Sequence, residues 1–358
     1  MQRFRKLCLA ICLLLTSIAT HAESRDTIQI IRINPQHSFP LSVKAGNYSG
    51  ITYLGNNEYL VVDDKSASDG FHLFTIEIDS LTGNILYVSN HGFVSSGMAN
   101  RDGEGIAYIK SFNSVLISGE ADNRILEYSL DGTPTGREAE IPEIFKNSAA
   151  NMRFEALGYS ESMHRLWACN ESPLNGDGGR ADINNPIENR LRFQSFSDSL
   201  KAMEQYVYKM DKPIARKPSK YYAMGVSAIT PLADGSLLVL EREFYVPPMF
   251  MGSFVNCKIY QAWPSMPITH DKKIAADETP VMDKFLLAEW KTNIGLFKRN
   301  IANYEGMCLG PQLADGSQVV VLVSDSQGQY TKGLVQNHCH KIGSKIKKCQ
   351  CKAMALSY

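Results

Sequence analysis

The amino-acid sequence predicts an all-β fold, a β-propeller with five or six four-stranded blades. The first observation is a repeated unit in which a short apolar strand, a polar turn and a second apolar strand end on a carboxylate. It is clearest in residues 101–120, RDGEGIAYIKSFNSVLISGE. The second observation is a hairpin of alternating apolar and polar residues that follows this unit along the chain. Four-stranded sheets repeated around an axis are the arrangement of β-propellers, so each pair of hairpins indicates one blade.

The strand–turn–strand unit recurs along most of the chain. Its five copies span residues 48–64, 101–120, 153–171, 225–243 and 304–325. The first copies start about fifty residues apart, which is the length of one blade, and insertions separate the later copies. A β-sandwich of about seven short strands would give similar alternation, but it does not explain why a carboxylate recurs at the same strand end. We therefore favour the propeller, with five visible blades and room for a sixth within the insertions.

The second hairpin of each blade is predicted from period-two alternation around a turn. Residues 199–208 taken alone would also fit a short helix, but the blade context favours a strand. Residues 27–33, TIQIIRI, alternate as well, and we expect an edge strand or the strand that closes the ring. The paired strands are predicted at residues 71–78 and 85–88, 124–130 and 137–141, 190–196 and 205–210, and 258–263 and 284–290.

Composition bounds the domain organisation and the partners. The chain has 358 residues, of which 44% are hydrophobic, enough to bury a large core in one all-β unit or in two smaller domains. We interpret residues 27–335 as a single propeller domain. Lys and Arg together number 37, as do Asp and Glu, so the charge of the whole chain gives no indication of a nucleic-acid or acidic-lipid partner. Any charged site must be local.

Residues 1–22 have the pattern of a cleavable secretory signal. Arg3, Arg5 and Lys6 precede an apolar run at residues 9–15, and small residues follow it. The apolar run is shorter than the roughly 20 residues that a membrane-spanning helix needs, and no later run is long enough. We expect an exported protein, periplasmic or secreted, without a membrane span.

The cysteines give no metal-binding motif, since Cys349 and Cys351 have the wrong spacing for a C-x-x-C pair. In an oxidising compartment some cysteines could pair, and we predict a disulfide between Cys257 and Cys308, which both lie at the starts of blade strands. Residues 336–358 are basic, contain cysteines and lack strand alternation. We predict that they form a poorly ordered tail and leave the last blade without a proper outer strand.

Three insertions interrupt the later repeats, at residues 172–190, 211–222 and 244–256. Long loops in compact domains are usually functional or disordered. The first and the third insertion directly follow carboxylates at strand ends, so they leave the ring at the same end as those carboxylates. We predict that these two insertions form walls of a site.

Carboxylates recur where the first strand of each unit starts and where the second strand ends. The innermost strand of a blade lines the central channel, and the two strands are antiparallel neighbours, so these side chains are predicted to converge on the axis. Arginines stand beside several of them. The acids are Glu104, Glu155 and Glu305 at strand starts and Asp63, Asp64, Glu120, Glu171, Glu241 and Asp325 at strand ends, and the arginines are Arg101, Arg153 and Arg242.

Such a cluster favours a cation. Clustered carboxylates repel one another unless a metal or basic groups neutralise them, and oxygen-rich sites without thiolates suit hard cations, above all Ca²⁺ outside the cell. An arginine beside the metal could hold a phosphate or carboxylate through two hydrogen bonds. The alternative is structural: the Glu-Gly pairs serve turns, and the acids pair with neighbouring arginines to hold the blades together. The chain has no G-x-S-x-G, H-E-x-x-H or P-loop motif.

Four of these segments together resemble a known family. They are RDGEGIAYI with VLISGEADNRILEYSLDG, NMRFEALGYS with LWACNE, MGVSAITPLADGSLLVLERE, and NYEGMCLGPQLADGSQVVVLVSDSQ. In this order they resemble the phytase-like family, known for an esterase-like activity of phytase, over residues 50–327. The resemblance implies a propeller, a phosphate-ester hydrolase or esterase activity, and calcium by analogy with propeller phytases.

The sequence therefore predicts a phytase-like or esterase-like hydrolase, with calcium-dependent cleavage of phosphate monoesters at the axis. We expect a monomer that acts on a small anionic or ester substrate and binds no nucleic acid. Two alternatives remain open, a non-catalytic module that binds an anionic or glycan ligand and a lactonase-like carboxyl-ester hydrolase. The predicted metal ligands or bases are Glu104, Glu155 and Glu305, the phosphate-binding groups are Arg101, Arg153 and Arg242, and the calcium ligands are Asp64, Glu104, Glu120, Glu155, Glu171, Glu241, Glu305 and Asp325.

Overall fold

Five four-stranded antiparallel sheets arranged in a ring contain all the strands of the described chain. The computed structural model describes residues 26–219, 221–269, 273–274, 278–295, 300–326 and 351–357. The predicted signal at residues 1–22 and residues 336–350 of the predicted tail lie outside these ranges. The predicted propeller is confirmed, with five blades.

The strands occur in blade order along the chain, after an initial strand β1 (Gln29–Ile33). Blade one contains β2 (Tyr48–Gly55), β3 (Glu58–Asp63), β4 (Ser68–Ile78) and β5 (Ile85–Ala99). Blade two contains β6 (Gly103–Ile109), β7 (Ser114–Gly119), β8 (Arg124–Ser129) and β9 (Pro134–Glu138). Blade three contains β10 (Phe154–Ser160), β11 (Arg165–Asn170), β12 (Arg190–Ser197) and β13 (Ala202–Lys209). Blade four contains β14 (Tyr221–Pro231), β15 (Leu237–Val246), β16 (Phe254–Trp263) and β17 (Asp283–Asn293), and blade five combines β1 with β18 (Asn303–Gln312), β19 (Gln318–Asp325) and β20 (Cys351–Ser357).

Helix is almost absent from the described ranges. The one helical segment found there is a 3-10 turn, Glu143–Asn147, between blades two and three. None of the described helical structure has the length and hydropathy to cross a membrane. Most of the segment that would also fit a short helix, residues 199–208, lies in strand β13 (Ala202–Lys209), which agrees with the predicted strand.

The first and last described strands meet in blade five. The strand order is β1–β20–β19–β18, so β1 lies outermost and β20 lies between it and β19. Strand β1 pairs antiparallel with β20, from Gln29 opposite Ser357 to Ile33 opposite Met354. The prediction that residues 27–33 form an edge or closing strand is confirmed, because β1 does both.

The prediction of a poorly ordered tail is wrong for residues 351–357. Strand β20 is buried, and Ala353, Met354, Ala355 and Leu356 are each only 1% exposed. A strand that is buried on both faces needs no alternation of apolar and polar residues, so its sequence carries no period-two signal. Blade five therefore has four strands, like the other blades.

The first strand of each complete blade lines the axis. Strands β2, β6, β10, β14 and β18 contact one another in this order, and β18 contacts β2, which closes the circle. Apolar side chains fill the spaces between neighbouring blades. One such cluster joins Tyr59 and Phe74 of blade one to Val319 and Val321 of blade five. Burial of these faces is the main favourable contribution to the stability of the ring.

Glycines allow the innermost strands to approach closely around the axis. A β-carbon added to Gly50 would lie 2.4 Å from the carbonyl oxygen of Glu104, and one added to Gly105 would lie 2.6 Å from the β-carbon of Leu157. Both distances are well below van der Waals contact. The Glu104-Gly105 pair thus combines an axial acid with a residue that has no side chain, at the point where neighbouring strands meet.

The predicted disulfide between Cys257 and Cys308 is wrong, since both residues are free thiols. Their side chains belong to different hydrophobic clusters, one between blades four and five and the other between blades five and one. Burial raises the pKa of the Cys257 thiol to about 12. Both cysteines therefore act as small apolar core residues.

Alanine substitutions at two glycines of β6 test the close strand packing. Gly105→Ala should lower the free energy of unfolding by about 1–3 kcal/mol, because Leu157 and the carbonyl of Glu155 must move. Gly103→Ala is the matched control, since its added β-carbon would come no closer than 3.5 Å to Ile117. Denaturant unfolding of the two variants measures the difference. Equal losses of stability would contradict this explanation of the glycine.

Candidate functional site

Each innermost strand contains a β-bulge at the same place in its blade. One extra residue interrupts the pairing with the second strand, directly after Tyr48, Gly103, Phe154, Val226 and Tyr304. A bulge bends the strand and redirects the side chain of the extra residue. The predicted glutamates at strand starts all occupy this position. Across the five blades the residues that follow the break are Ser49, Glu104, Glu155, Ser227 and Glu305.

The end of each second strand supplies another equivalent position. In each blade, the residue just before the bulge pairs with a residue of the second strand. The equivalent position is the next residue along that second strand. Four blades place an acid there, and blade four places an arginine. In blade order the residues are Asp64, Glu120, Glu171, Arg242 and Asp325.

Eight of these ten residues, all except Ser49 and Ser227, line a cavity of about 760 Å³ at one end of the ring. Seven of the eight predicted calcium ligands line it, and Glu241 does not. The Glu241 carboxylate instead accepts hydrogen bonds from Lys284 (2.7 Å) and Tyr208 (2.8 Å). Adjacent residues of a strand point to opposite faces, so in blade four Arg242 reaches the cavity in place of Glu241. The seven acids that line the cavity are Asp64, Glu104, Glu120, Glu155, Glu171, Glu305 and Asp325.

Arg242 neutralises one side of the cavity. Its guanidinium lies 2.8 Å from Glu171 Oε1, 3.3 Å from Glu305 Oε1 and 3.8 Å from Glu155 Oε1. The arginine is only 5% exposed. It therefore joins carboxylates of blades three and five to blade four, as the structural alternative in the sequence analysis expected.

The other two predicted phosphate-binding arginines do not line the cavity. Arg101 is buried in blade two, where Nε donates to Asp122 at 2.7 Å and Nη1 donates to the Tyr128 hydroxyl at 3.0 Å. Arg153 donates to the backbone carbonyl of Glu120 at 3.0 Å. Both guanidinium groups thus donate hydrogen bonds within the protein. Arg153 does not pair with the axial glutamates, although the structural alternative expected this pairing.

The opposite side of the cavity, on blades one and two, has carboxylates that Arg242 does not reach. Carboxylate oxygens of Asp64, Asp102 and Glu104 all lie within 4.8 Å of one another. Glu104 is 7% exposed, and its carboxylate makes no hydrogen bond or ion pair with any described residue. The Oδ1 atom of Asp64 is buried and likewise has no hydrogen-bond partner within the described ranges. Lys65 Nζ lies 2.5 Å from both Asp64 Oδ2 and Asp102 Oδ1.

Burial and mutual repulsion shift the pKa values of these acids upwards. Burial is the largest cause for Glu104, Glu155 and Glu305, whose pKa values lie well above the usual range, and neighbouring carboxylates add to it. Burial followed by repulsion from Glu171 raises the pKa of Glu120 to about 7. Burial raises the pKa of Asp64 to about 6 although Lys65 opposes the shift. The cluster therefore favours protons or other cations over the free carboxylate state.

The cavity lining on blades three and four contains apolar and aromatic side chains beside the charged Glu155, Glu171 and Arg242. Tyr222, at the start of β14, and Phe244, near the end of β15, line it together with Met152. Arg180, from the insertion at residues 172–190, lies at the same wall. The prediction that the insertion at residues 172–190 contributes to a wall agrees with the position of Arg180, whereas within residues 244–256 only Phe244 lines the cavity, and it belongs to strand β15. Tyr222 and Phe244 lie on opposite faces of the blade-four sheet, because Ala223 pairs with Phe244 and Tyr222 pairs with Tyr245, so they do not form one aromatic surface.

The family model described as "Esterase-like activity of phytase" matches residues 43–327. The chain belongs to the phytase-like family. Family membership and the axial cavity fit a hydrolase or a ligand-binding propeller. A comparison with proteins of curated function finds no match.

Solved structures with a similar arrangement of strands have low sequence identity to this phytase-like chain. An endo-arabinase from Bacteroides thetaiotaomicron is 11% identical, with 93% of this chain and 98% of that one covered and a TM-score of 0.43. A GH43 glycoside hydrolase with an engineered active site is 9% identical, with coverages of 82% and 50% and a TM-score of 0.41. A streptogramin B lyase is 12% identical, with coverages of 90% and 97% and a TM-score of 0.36.

Sequence reasoning misses several residues of the phytase-like cavity. Lys65 and Asp102 each stand next to a predicted residue, but they come from different blades and only the folded ring brings them within contact. Asp102 also has a positive φ of 58°, and no pattern in the sequence predicts this conformation. Tyr222 gives no signal beyond being an aromatic residue at a strand start. The insertion that contains Arg180 is the sequence signal that points to this part of the cavity.

The raised pKa of Glu120 predicts a pH-dependent stability in the presence of EDTA. The folded protein holds the Glu120 proton up to about pH 7, whereas an ordinary glutamate loses it near pH 4.5. The free energy of unfolding therefore falls as the pH rises from about 4.5 to about 7, because the unfolded state loses this proton at a lower pH than the folded state does. Glu120→Gln removes the loss, so the variant should melt higher than wild type at about pH 8 and close to it at about pH 5. Parallel melting temperatures across this range would contradict the prediction.

Proposed function

We propose that the axial cavity is a calcium-dependent hydrolytic site for phosphate monoesters. The observation that carries the proposal is the buried Glu104 carboxylate, which has no partner among the described residues and faces Asp64 and Asp102 across less than 4.8 Å. An isolated buried carboxylate is costly unless a proton or a cation stabilises it. A hydrolase built on this fold would bind its substrate where the cation sits.

The residues present suit calcium as the bound cation. Asp64, Asp102 and Glu104 offer only carboxylate oxygens, which hard cations prefer, and no thiol or imidazole is among the three. Asp64 Oδ1 is buried without a partner, so it can accept a metal without breaking a hydrogen bond. When bound, calcium would polarise a phosphoryl oxygen and offset its negative charge.

The other charged residues have separate roles in this proposal. Arg242 holds Glu155 and Glu305 through ion pairs, so these two glutamates stabilise the site and do not act as bases. Glu120 also lines the cavity, and its carboxylate is available to accept a proton from water. Arg180 is positioned at the cavity wall to contact an anionic group of the substrate.

Export belongs to the same proposal. The pattern of residues 1–22 is that of a secretory signal, and calcium is abundant outside the cell. An exported protein would therefore meet the cation that its acidic cavity suits. The length of the apolar run supports cleavage of this segment over membrane anchoring.

A substrate panel with calcium or with EDTA tests the proposal. Wild type should release phosphate from phosphate monoesters in calcium and lose this activity in EDTA. Glu104→Gln should abolish both the activity and the calcium-linked rise in melting temperature, because it removes a ligand charge. Glu138→Gln is the matched control, since Glu138 is 48% exposed on the outer strand of blade two.

Other outcomes of this panel have a definite meaning. Turnover of carboxyl esters or lactones without phosphate release would support the lactonase-like alternative. Calcium-dependent ligand binding without turnover would support the binding module. A wild-type melting temperature that is the same in calcium and in EDTA would remove the calcium site from the proposal.

Lys65 competes with the metal for the same carboxylates and gives a second test. Its ammonium group lies 2.5 Å from Asp64 Oδ2 and from Asp102 Oδ1, so its positive charge opposes the binding of a cation to the same carboxylates. Lys65→Met should tighten calcium binding by about three- to tenfold, the value of a weak, partly exposed ion pair. Lys65→Arg keeps the charge and should remain near wild type. Titration calorimetry measures the affinities, and unchanged or weaker binding to Lys65→Met would contradict the prediction.

A further inference from the structure

We infer that the tip of the β15–β16 hairpin docks the protein on an anionic lipid surface, where apolar side chains of the tip enter the headgroup region and neighbouring cations contact the lipid charges. The tip is the turn at residues 247–253, PPMFMGS. The inference is independent of the chemistry proposed for the axial cavity. Two observations carry it, the exposed apolar side chains on a projecting turn and the exposed cations on both sides of that turn.

Blade four extends farther at the cavity end than the repeat requires. In the other blades the second strand ends at the axial position or one residue before it, whereas β15 continues from Arg242 to Val246. Tyr221 pairs with Val246 and Tyr245 pairs with Phe254, so both neighbouring strands continue with it. At about 3.3 Å per residue, the hairpin reaches roughly 13 Å beyond Arg242. The turn is thus held away from the ring, at the end where the cavity lies.

The turn exposes apolar side chains. Met249 is 83% exposed and Met251 is 48% exposed. A convex turn with two such side chains is too small for a stable protein–protein interface, which buries about 800 Å² on each partner. It suits a bilayer surface, because partial insertion needs only a few apolar side chains. Methionine is also flexible and adapts to irregular apolar surroundings.

Hydrogen bonds order the turn before it meets a surface. The amide of Phe250 donates to the carbonyl of Pro247 at 2.9 Å, and the Ser253 hydroxyl donates to the carbonyl of Phe250 at 2.6 Å. The chain directly after β17 supports the turn, since the amide of Gly252 donates to the carbonyl of Ile294 at 3.0 Å. A turn that is ordered in advance loses little conformational entropy on binding, which favours affinity.

Exposed cations flank the hairpin on both sides. The Ser219 hydroxyl donates a hydrogen bond to the carbonyl of Val246, which places the exposed Arg216 and Lys217 near the base of the turn. On the other side, Lys291 is exposed on β17, which pairs with β16. Each Lys or Arg near an anionic bilayer is attracted to it. Apolar side chains at the tip with cations beside them are the combination that binds such a surface.

The chain segments that form this end of blade four carry no acidic residue that would cancel these cations. Residues 212–222, 244–258 and 290–303 contain no Asp or Glu. The carboxylates of the cavity weaken the attraction little, because exposed charges that are farther apart than about 8 Å are largely screened at physiological ionic strength. Charge complementarity therefore favours an anionic lipid surface over a neutral one.

Co-sedimentation with vesicles in EDTA tests the inference, since EDTA prevents calcium from bridging acidic residues to lipid. The whole chain is used for every variant, so that residues 1–22 contribute equally to each. Wild type should bind phosphatidylcholine vesicles that contain phosphatidylserine, and raised salt should weaken the binding. Met249→Ser should bind about tenfold more weakly, because it removes an inserted apolar side chain. Lys217→Gln should bind about fivefold more weakly, because it removes one cation near the surface.

Two variants at the opposite end of the ring are the matched controls. Met163→Ser removes a methionine that is 47% exposed in the turn between β10 and β11. Lys201→Gln removes a cation that is 71% exposed in the turn between β12 and β13. Both should bind vesicles like wild type. All four variants should melt close to wild type, since exposed side chains contribute little to stability.

Several results would overturn the inference. One is the absence of binding to the phosphatidylserine vesicles, and another is equal binding by Met249→Ser and wild type. Equal binding to vesicles of phosphatidylcholine alone would remove the role of the cations and with it the anionic surface. A wild-type dimer in solution that Met249→Ser dissociates would make the tip an interface between two copies of the chain, in place of a lipid contact.

Discussion

Repulsion among carboxylates at the axis is the constraint on which the rest of the structure depends. Acids from four blades converge there because the blades repeat the same bulge and the same strand end. Arg242 relieves the repulsion on one side, at distances of 2.8–3.8 Å from three glutamates. Removing a buried arginine from such a group would leave unpaired carboxylates in a poorly solvated place, which is far more costly than loss of a surface ion pair. The arginine is therefore part of the framework of the ring and is not available to a substrate.

The position of this arginine also decides where a cation can bind. The five blades would be equivalent if each carried the same residues, but blade four has Arg242 where the others have an acid. Its reach extends to blades three and five and leaves Asp64 and Glu104, on blades one and two, without an arginine partner. Breaking the symmetry of the repeat thus concentrates the uncompensated charge on one side of the cavity.

The sequence is sufficient to predict the propeller and the convergence of the acids, because both depend on a repeat that is visible in the residues. It is insufficient for the direction of individual side chains. Glu241 and Arg242 are neighbours, and the repeat pattern favours Glu241 as the axial residue, whereas the register of β15 places Arg242 there. Arg101 and Arg153 stand beside axial acids in sequence, yet the local backbone turns their guanidinium groups towards Asp122 and towards backbone carbonyls. One residue of register reverses the face to which a side chain points, and a carboxylate at a strand end does not by itself show this register.

Closure of the ring and assembly of the site are a single process. Glu305 and Asp325 belong to blade five, which is completed only when β1 pairs with β20 and β20 pairs with β19. Bringing blade five against blade one also brings its carboxylates towards Asp64 and Glu104, so closure works against electrostatic repulsion. The buried apolar residues of β20 and the cluster between blades five and one offset this cost, since burial of apolar surface is favourable whether or not a cation is present. The hydrophobic closure of the chain ends thus holds together a set of acids that would otherwise separate, and this is the condition under which a cation site can exist at the axis.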